Sequence, residues 1–175
     1  MKFWIFSLGR TGSVRLTKML SNGNHQHYGI TSKVWGDPDS EEHFVYHVHD
    51  TNRIPPDDAV KILSTRKNKK GIVCSRIVGL RLGDVWVPSL QKVLELSPFH
   101  VDEKEYKELY LKILESEQAY IDKYNPIQIY LEDSIEDIEC KLGVSLPYKE
   151  HDTSSISMFP PKQFITNYDE LQEFI

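Results

Sequence analysis

Apolar positions along this chain follow two alternating rhythms, one of strands and one of helices. The run Lys2-Phe3-Trp4-Ile5-Phe6-Ser7-Leu8 is apolar and β-favouring and reads as a first strand. Leu16, Met19 and Leu20 then mark one face of a short helix that stops at Asn22-Gly23. Residues 23–42 are rich in Gly, Asn, His, Asp and Ser and read as a loop-dominated segment. A second strand is expected over Phe44–His49 and a third over Ala59–Thr65, followed by the polar run Arg66-Lys67-Asn68-Lys69-Lys70.

Val73, Ile77 and Leu80 predict a helix over 71–82, and Pro88 opens a short one to about Leu96. The clearest helix is expected over 102–124. There Tyr106, Leu109, Tyr110, Ile113, Leu114, Tyr120, Ile121 and Tyr124 share a stripe, with Glu and Lys opposite. Asn125-Pro126 ends it, and Ile127–Leu131 is a fourth strand. Ser134 with Asp137 has the spacing of a capping box for a helix through Ile135, Ile138 and Leu142 that Gly143 ends. An irregular stretch over 146–161 and a last short helix over 168–175 complete the reading.

Strands alternating with helices, without a tight hairpin signal, predict an α/β fold: a parallel sheet with helices on both faces. The 175 residues lead to the expectation of a single domain, 1–175. With 39% hydrophobic and 27% charged residues the composition is that of a soluble globular protein, and the net charge of −5 argues against a general nucleic-acid binder. Cys74 and Cys140 read as reduced core residues. No stretch approaches the ~20 apolar residues of a membrane span, so no membrane association and a cytoplasmic location are expected.

Ligands of parallel sheets bind beyond the carboxyl ends of the strands. That rule gathers three stretches on one rim: Gly9-Arg10-Thr11-Gly12-Ser13 after the first strand, His49 after the second, and Arg66 after the third. The first stretch has the make-up of a phosphate cradle. Glycines let a backbone approach an anion, the following helix offers unpaired N–H groups, Thr11 and Ser13 add hydroxyls, and Arg10 adds a fixed charge. It is not the G-x-x-x-x-G-K-[ST] phosphate loop, because no lysine follows Gly12. His47 and His49 are two apart and so share a strand face. Either suits a general base near neutral pH, or a metal ligand, but no third ligand stands at a telling spacing. His49 lies nearer the strand end and is the favoured base, with His47 in reserve and Asp50 beside both.

In the order of these stretches the chain resembles the sulfotransferases that use 3′-phosphoadenosine 5′-phosphosulfate (PAPS), in particular small microbial or viral-type members. Leu8-Gly9-Arg10-Thr11-Gly12-Ser13 is similar to the family's 5′-phosphosulfate loop, with Val14 where the family has a second hydroxyl residue. Val45–His49 with Pro55 resembles the strand that delivers the catalytic histidine. Arg66-Lys67-Asn68 with Ser75 eight places after Lys67 resembles the 3′-phosphate site, and Ile129–Asp133 and Ile165–Leu171 resemble the family's end. The resemblance implies a P-loop NTPase-like fold and transfer of a sulfuryl group from PAPS to a hydroxyl of a small-molecule or carbohydrate acceptor. The desulfated nucleotide PAP would be the product, and no metal would be used. It also implies that Gly9, Arg10, Thr11, Gly12, Ser13, Val14, Arg66, Lys67 and Ser75 bind the donor, with His49 and Arg10 catalytic. The alternatives are a P-loop-like small-molecule kinase, which lacks its lysine and has Arg66 where an Asp would hold Mg²⁺, and a non-catalytic nucleotide-binding protein.

Overall fold

The structure, a computed structural model, describes residues 1–9, 11–21, 44–49, 53–83, 94–149 and 160–174. It divides into two compact units, Met1–Lys67 with Ser116–Asp152, and Asn68–Glu115 with Thr153–Ile175.

The first unit is built on four parallel strands: β1 (Lys2–Phe6), β2 (Phe44–Val48), β3 (Val60–Thr65) and β4 (Ile127–Tyr130), in the order β2-β1-β3-β4. Period-2 alternation sorts their side chains. Phe3, Ile5, Val45, Ile62 and Ile129 face one way and bury Leu16, Met19 and Leu20 of α1 (Ser13–Leu20). The same face buries Ile138 and Leu142, which belong to a later helix, Ile135–Leu142. Trp4, Phe6, Val48 and Leu63 face the other way, against Tyr120, Ile121 and Tyr124. Phe6 stacks on Tyr120 with ring centroids 4.3 Å apart. The expected parallel sheet with helices on both faces is therefore present in this unit.

Chain direction leaves an opening in the sheet's carboxyl rim. From β1 the chain passes through α1 to β2 on one side, whereas after β3 it returns as β4 on the other. The connections leaving β1 and β3 therefore diverge, and the rim between Gly9 and Arg66 is a topological switch point.

In the second unit α2 (Lys69–Arg81) starts two residues before the expected 71, because the Asn68 side chain caps it by accepting from Gly71 N at 2.7 Å. The polar run thus ends inside a helix rather than before one. The helix α3 (Glu103–Tyr124) matches expectation. In the first unit α4 (Ile135–Leu142) carries the capping box of Ser134 and Asp137 and ends on Gly143 in the left-handed region.

The tail departs from the predicted helix over 168–175: among its described residues it is turn and irregular chain after a short 3₁₀ turn, Pro161–Gln163. Carbonyls of this stretch are instead held by side chains. Lys70 Nζ donates to Leu171 O at 2.8 Å and the Tyr106 hydroxyl to Gln172 O at 2.8 Å. Asn167 clamps Val101, accepting its N–H and donating to its carbonyl, both at 3.0 Å. Cys74 is buried as expected, and burial pushes its thiol up to about 12, whereas Cys140 is exposed rather than in the core. The expected helix over 88–96 lies outside the described residues except for Leu94 and Glu95, which are helical, and Leu96, which is not. The expected loop over 23–42 lies outside them altogether. No described helix is long and apolar enough to cross a membrane.

Candidate functional site

At the end of β1, Gly9 and Gly12 both adopt positive φ, 83° and 81°, and turn the chain into α1. Gly12 stands at the N-cap of that helix. A Cβ built there would lie 2.4 Å from Leu131 Cδ1, so packing as well as backbone conformation excludes a side chain. The close approach that Gly12 permits is thus, in part, to the chain itself.

The N-terminus of α1 has no side-chain cap and no acidic residue in its first turn, unlike that of α4. Its first N–H groups form the positive end of the helix, which favours an anion. Thr11 and Ser13 are both buried. The Thr11 and Ser64 hydroxyls lie 3.4 Å apart, and Ser64 Oγ also donates to Thr11 O at 3.3 Å, which ties the loop to β3. Gly9 is buried and Val14 half-buried. Arg10 and Asp50 lie outside the described residues.

Behind the loop, Thr11, Gly12, Arg15, Ser64, Tyr130 and Leu131 line a small recess with room for about one water molecule. Arg15 donates from Nη1 to Leu131 O at 3.1 Å. Its Nε and Nη2 are buried with no hydrogen-bond partner among the described residues. Burial lowers the pKa of its guanidinium, and the charge of Asp133 opposes this.

On the side of β2, the register pairs Ile5 with His47 and Phe6 with Val48. Ser7 therefore stands level with His49, and Ser7, His47 and His49 share one face. Ser7 Oγ lies 2.9 Å from His47 Nε2 and 3.2 Å from His49 Nδ1, and His49 Nδ1 lies 2.7 Å from Ser7 O. The two imidazoles meet edge to face at 4.4 Å. Ser7 and His47 are buried, whereas His49 is half-buried at the rim.

On the side of β3 and β4, the basic pair meets two carboxylates. Glu132 accepts from Lys67 N at 3.0 Å and stands 3.8 Å from Arg66 Nε. Asp133, with its side chain 5% exposed, pairs with Lys141 at 2.6 Å and Lys67 at 3.9 Å and accepts from Tyr130 N at 2.8 Å. Burial alone would raise the Asp133 carboxyl. The Lys141 hydrogen bond, the Tyr130 amide and the charges of Lys141 and Lys67 outweigh it and hold the group below the usual carboxylate range. An anion bound at Arg66 and Lys67 must therefore displace Glu132 or share its partners. Ser75 is buried on α2 in the second unit.

The first unit thus brings Gly9, Thr11, Gly12, Ser13, Val14, His47, His49, Arg66 and Lys67 to one rim of its sheet. Sequence reasoning missed Ser7, Arg15, Ser64 and Glu117. Glu117 is buried on α3 and accepts from Thr65 Oγ1 at 2.5 Å. Its position within the stripe, four after Ile113 and three before Tyr120, was the signal that it does not belong to the polar side. Among the described residues no group of three or more His, Cys, Asp or Glu is arranged to hold a metal ion.

Comparison with protein-family models, curated proteins and solved structures found no match.

Proposed function

We propose that the chain is a sulfotransferase that moves a sulfuryl group from PAPS to a hydroxyl of a small-molecule or carbohydrate acceptor, on a P-loop NTPase-like scaffold. One observation carries the reading: a half-buried histidine, His49, held by Ser7 on the strand beside the one that feeds the glycine turn. A base and an anion-suited helix end thereby stand at neighbouring strand ends.

The donor supplies a sulfuryl group already attached to a phosphate leaving group. The loop from Gly9 to Val14, with Arg10, would receive its 5′ end. There helix N–H groups and a guanidinium offset negative charge on the departing oxygen. Arg66 and Lys67 would receive the 3′-phosphate. Their fit is conditional, because Glu132 and Asp133 already neutralise both. A dianion is the stronger partner, since ion pairs at partly exposed positions contribute only ~0–1 kcal/mol. His49 would take the acceptor's proton as the new O–S bond forms and the bond from sulfur to the phosphate oxygen breaks. PAP departs with the electron pair of that bond.

The test is transfer from PAPS to a panel of phenols and sugars, with calorimetry of PAP and of ATP with Mg²⁺ alongside. Turnover with release of PAP is the expected result. Binding of ATP with Mg²⁺ but not PAP would replace the reading with that of a small-molecule kinase. Tight PAP binding without turnover on any acceptor would leave a non-catalytic nucleotide-binding protein.

A further inference from the structure

We infer that the Ser7 carbonyl locks His49 in the tautomer whose lone pair lies on Nε2, and that the Ser7 hydroxyl and His47 are positioning groups that hold the ring in place. The catalytic meaning of that lock rests on the proposed role of His49, but the lock itself follows from hydrogen-bond directionality alone.

The Ser7 carbonyl can only accept, so at 2.7 Å the contact requires the proton to sit on His49 Nδ1. In a neutral ring the lone pair then belongs to Nε2. The Ser7 hydroxyl stands 3.2 Å from the same Nδ1–H and can only accept on that side, so its own hydrogen points elsewhere. His47 Nε2, at 2.9 Å, is the acceptor it reaches. With the hydroxyl hydrogen directed there, that nitrogen carries the lone pair and the His47 proton sits on Nδ1 as well. Both imidazoles are thus Nδ1–H tautomers, the less common form of a free histidine side chain. One serine sets both, through its carbonyl and its hydroxyl.

The arrangement depends on strand register. Ser7 is one residue past the last β1 pair, and its N–H still donates to Val48 O at 3.0 Å, which holds its carbonyl and side chain at the level of the two rings. His47 is 1% exposed and stacks edge to face with His49, so it braces the ring rather than meeting a substrate. A base needs its basic nitrogen fixed before the acceptor arrives. In serine hydrolases a buried carboxylate orients the histidine in this way. Here a neutral backbone carbonyl holds the same Nδ1–H, which leaves His49 without a neighbouring anion from Ser7 or His47.

The experiment is long-range ¹H–¹⁵N correlation spectroscopy on the full chain labelled at histidine, at a pH where the rings are neutral, with no nucleotide or acceptor. The expected spectrum places a protonated-type Nδ1 and a lone-pair-type Nε2 on both His47 and His49. Ser7→Ala, which removes the hydroxyl and keeps the carbonyl, should leave His49 unchanged and return His47 to the Nε2–H form. In the sulfotransfer assay the same variant should lower kcat about tenfold, the worth of one hydrogen bond, with the KM for PAPS unchanged. An Nε2–H form of His49 in the parent protein would overturn the inference, as would a His47 tautomer that ignores Ser7→Ala. Should Ser7→Ala not fold, the parent spectrum alone decides. Failure of the sulfotransferase reading would appear separately, as loss of PAP binding and turnover with the tautomers as stated.

Discussion

Gly12→Ala is predicted to destabilise the protein in the absence of any ligand. Two costs add at this residue. Its φ of 81° lies in the left-handed region, which costs a residue with a Cβ about 1–2 kcal/mol. The new methyl would also meet Leu131 Cδ1 at 2.4 Å, with Leu131 Cβ and Cγ at 3.4 Å. Cδ1 is the end of a flexible side chain, so Leu131 can rotate away, at about 0.5–1.5 kcal/mol for an off-rotamer position. The reduced freedom of the unfolded chain returns about 0.4–1 kcal/mol. The net expectation is a loss of about 1–3 kcal/mol, a substantial part of the ~5–15 kcal/mol typical of a domain. Urea unfolding followed by circular dichroism gives the number directly, provided the slope with denaturant is unchanged. The Leu131→Ala background separates the two costs: the clash disappears there and the backbone cost stays, so the penalty should fall without vanishing. A Gly12→Ala variant as stable as the parent would refute this account and return Gly12 to a role in approach of an anion alone.

Four further outcomes follow from the same structure. Glu132→Gln should tighten PAP binding by up to about fivefold, because an internal competitor worth ~0–1 kcal/mol is removed; unchanged or weaker binding in calorimetry would separate Arg66 and Lys67 from the donor site. His49→Ala should leave PAP affinity intact and lower turnover by about 10²–10⁴-fold on an aliphatic hydroxyl acceptor, and full activity would remove this histidine from the mechanism. Glu117→Ala should cost about 1.5–3 kcal/mol by removing a charged hydrogen-bond partner of the buried Thr65 hydroxyl, while Glu117→Gln keeps an acceptor and loses less; equal denaturant midpoints for the Ala variant and parent would contradict the bond. The folded Asp133 carboxyl is held below its ordinary range. Its stabilisation is therefore fully present above the unfolded value near ~3.9 and is lost as pH falls through the lower folded value. Asp133→Asn should flatten that acid limb of a stability–pH profile, and an unaltered limb would assign it to other carboxylates.

Strand-like runs such as Phe3–Phe6, alternating with helical stripes and without a hairpin signal, are enough to predict a parallel sheet covered on both faces. The stripe of α3 and the Ser134–Asp137 box were equally legible, since each depends on residues a few places apart. The start of α2 was mislaid because Lys69 and Lys70 look like solvated charge, whereas the Asn68 cap decides where the helix begins. The predicted helix at 168–175 is instead turns and irregular chain that Lys70 and Tyr106 tether through the Leu171 and Gln172 carbonyls, from 101 and 66 positions away. The candidate site divides in the same way. His47, His49 and the glycines announce themselves by type, but Ser7 becomes significant only through the β1–β2 register. The carboxylate partners of Arg66 and Lys67 become visible only once β4 lies beside β3.

The ion pairs at that rim also bear on how fast an anion arrives. A phosphorylated ligand approaching an uncompensated Arg–Lys pair would be drawn in from several ångströms. Here Glu132 and Asp133 cancel much of that field at its source, and the chain as a whole carries a net charge of −5. On the proposed reading, capture should therefore proceed without attractive long-range steering, at no more than the ~10⁵–10⁶ M⁻¹s⁻¹ of unsteered encounters, and should not slow as ionic strength rises. Discrimination among nucleotides would then reside in how slowly the right one leaves, once it has exchanged places with Glu132.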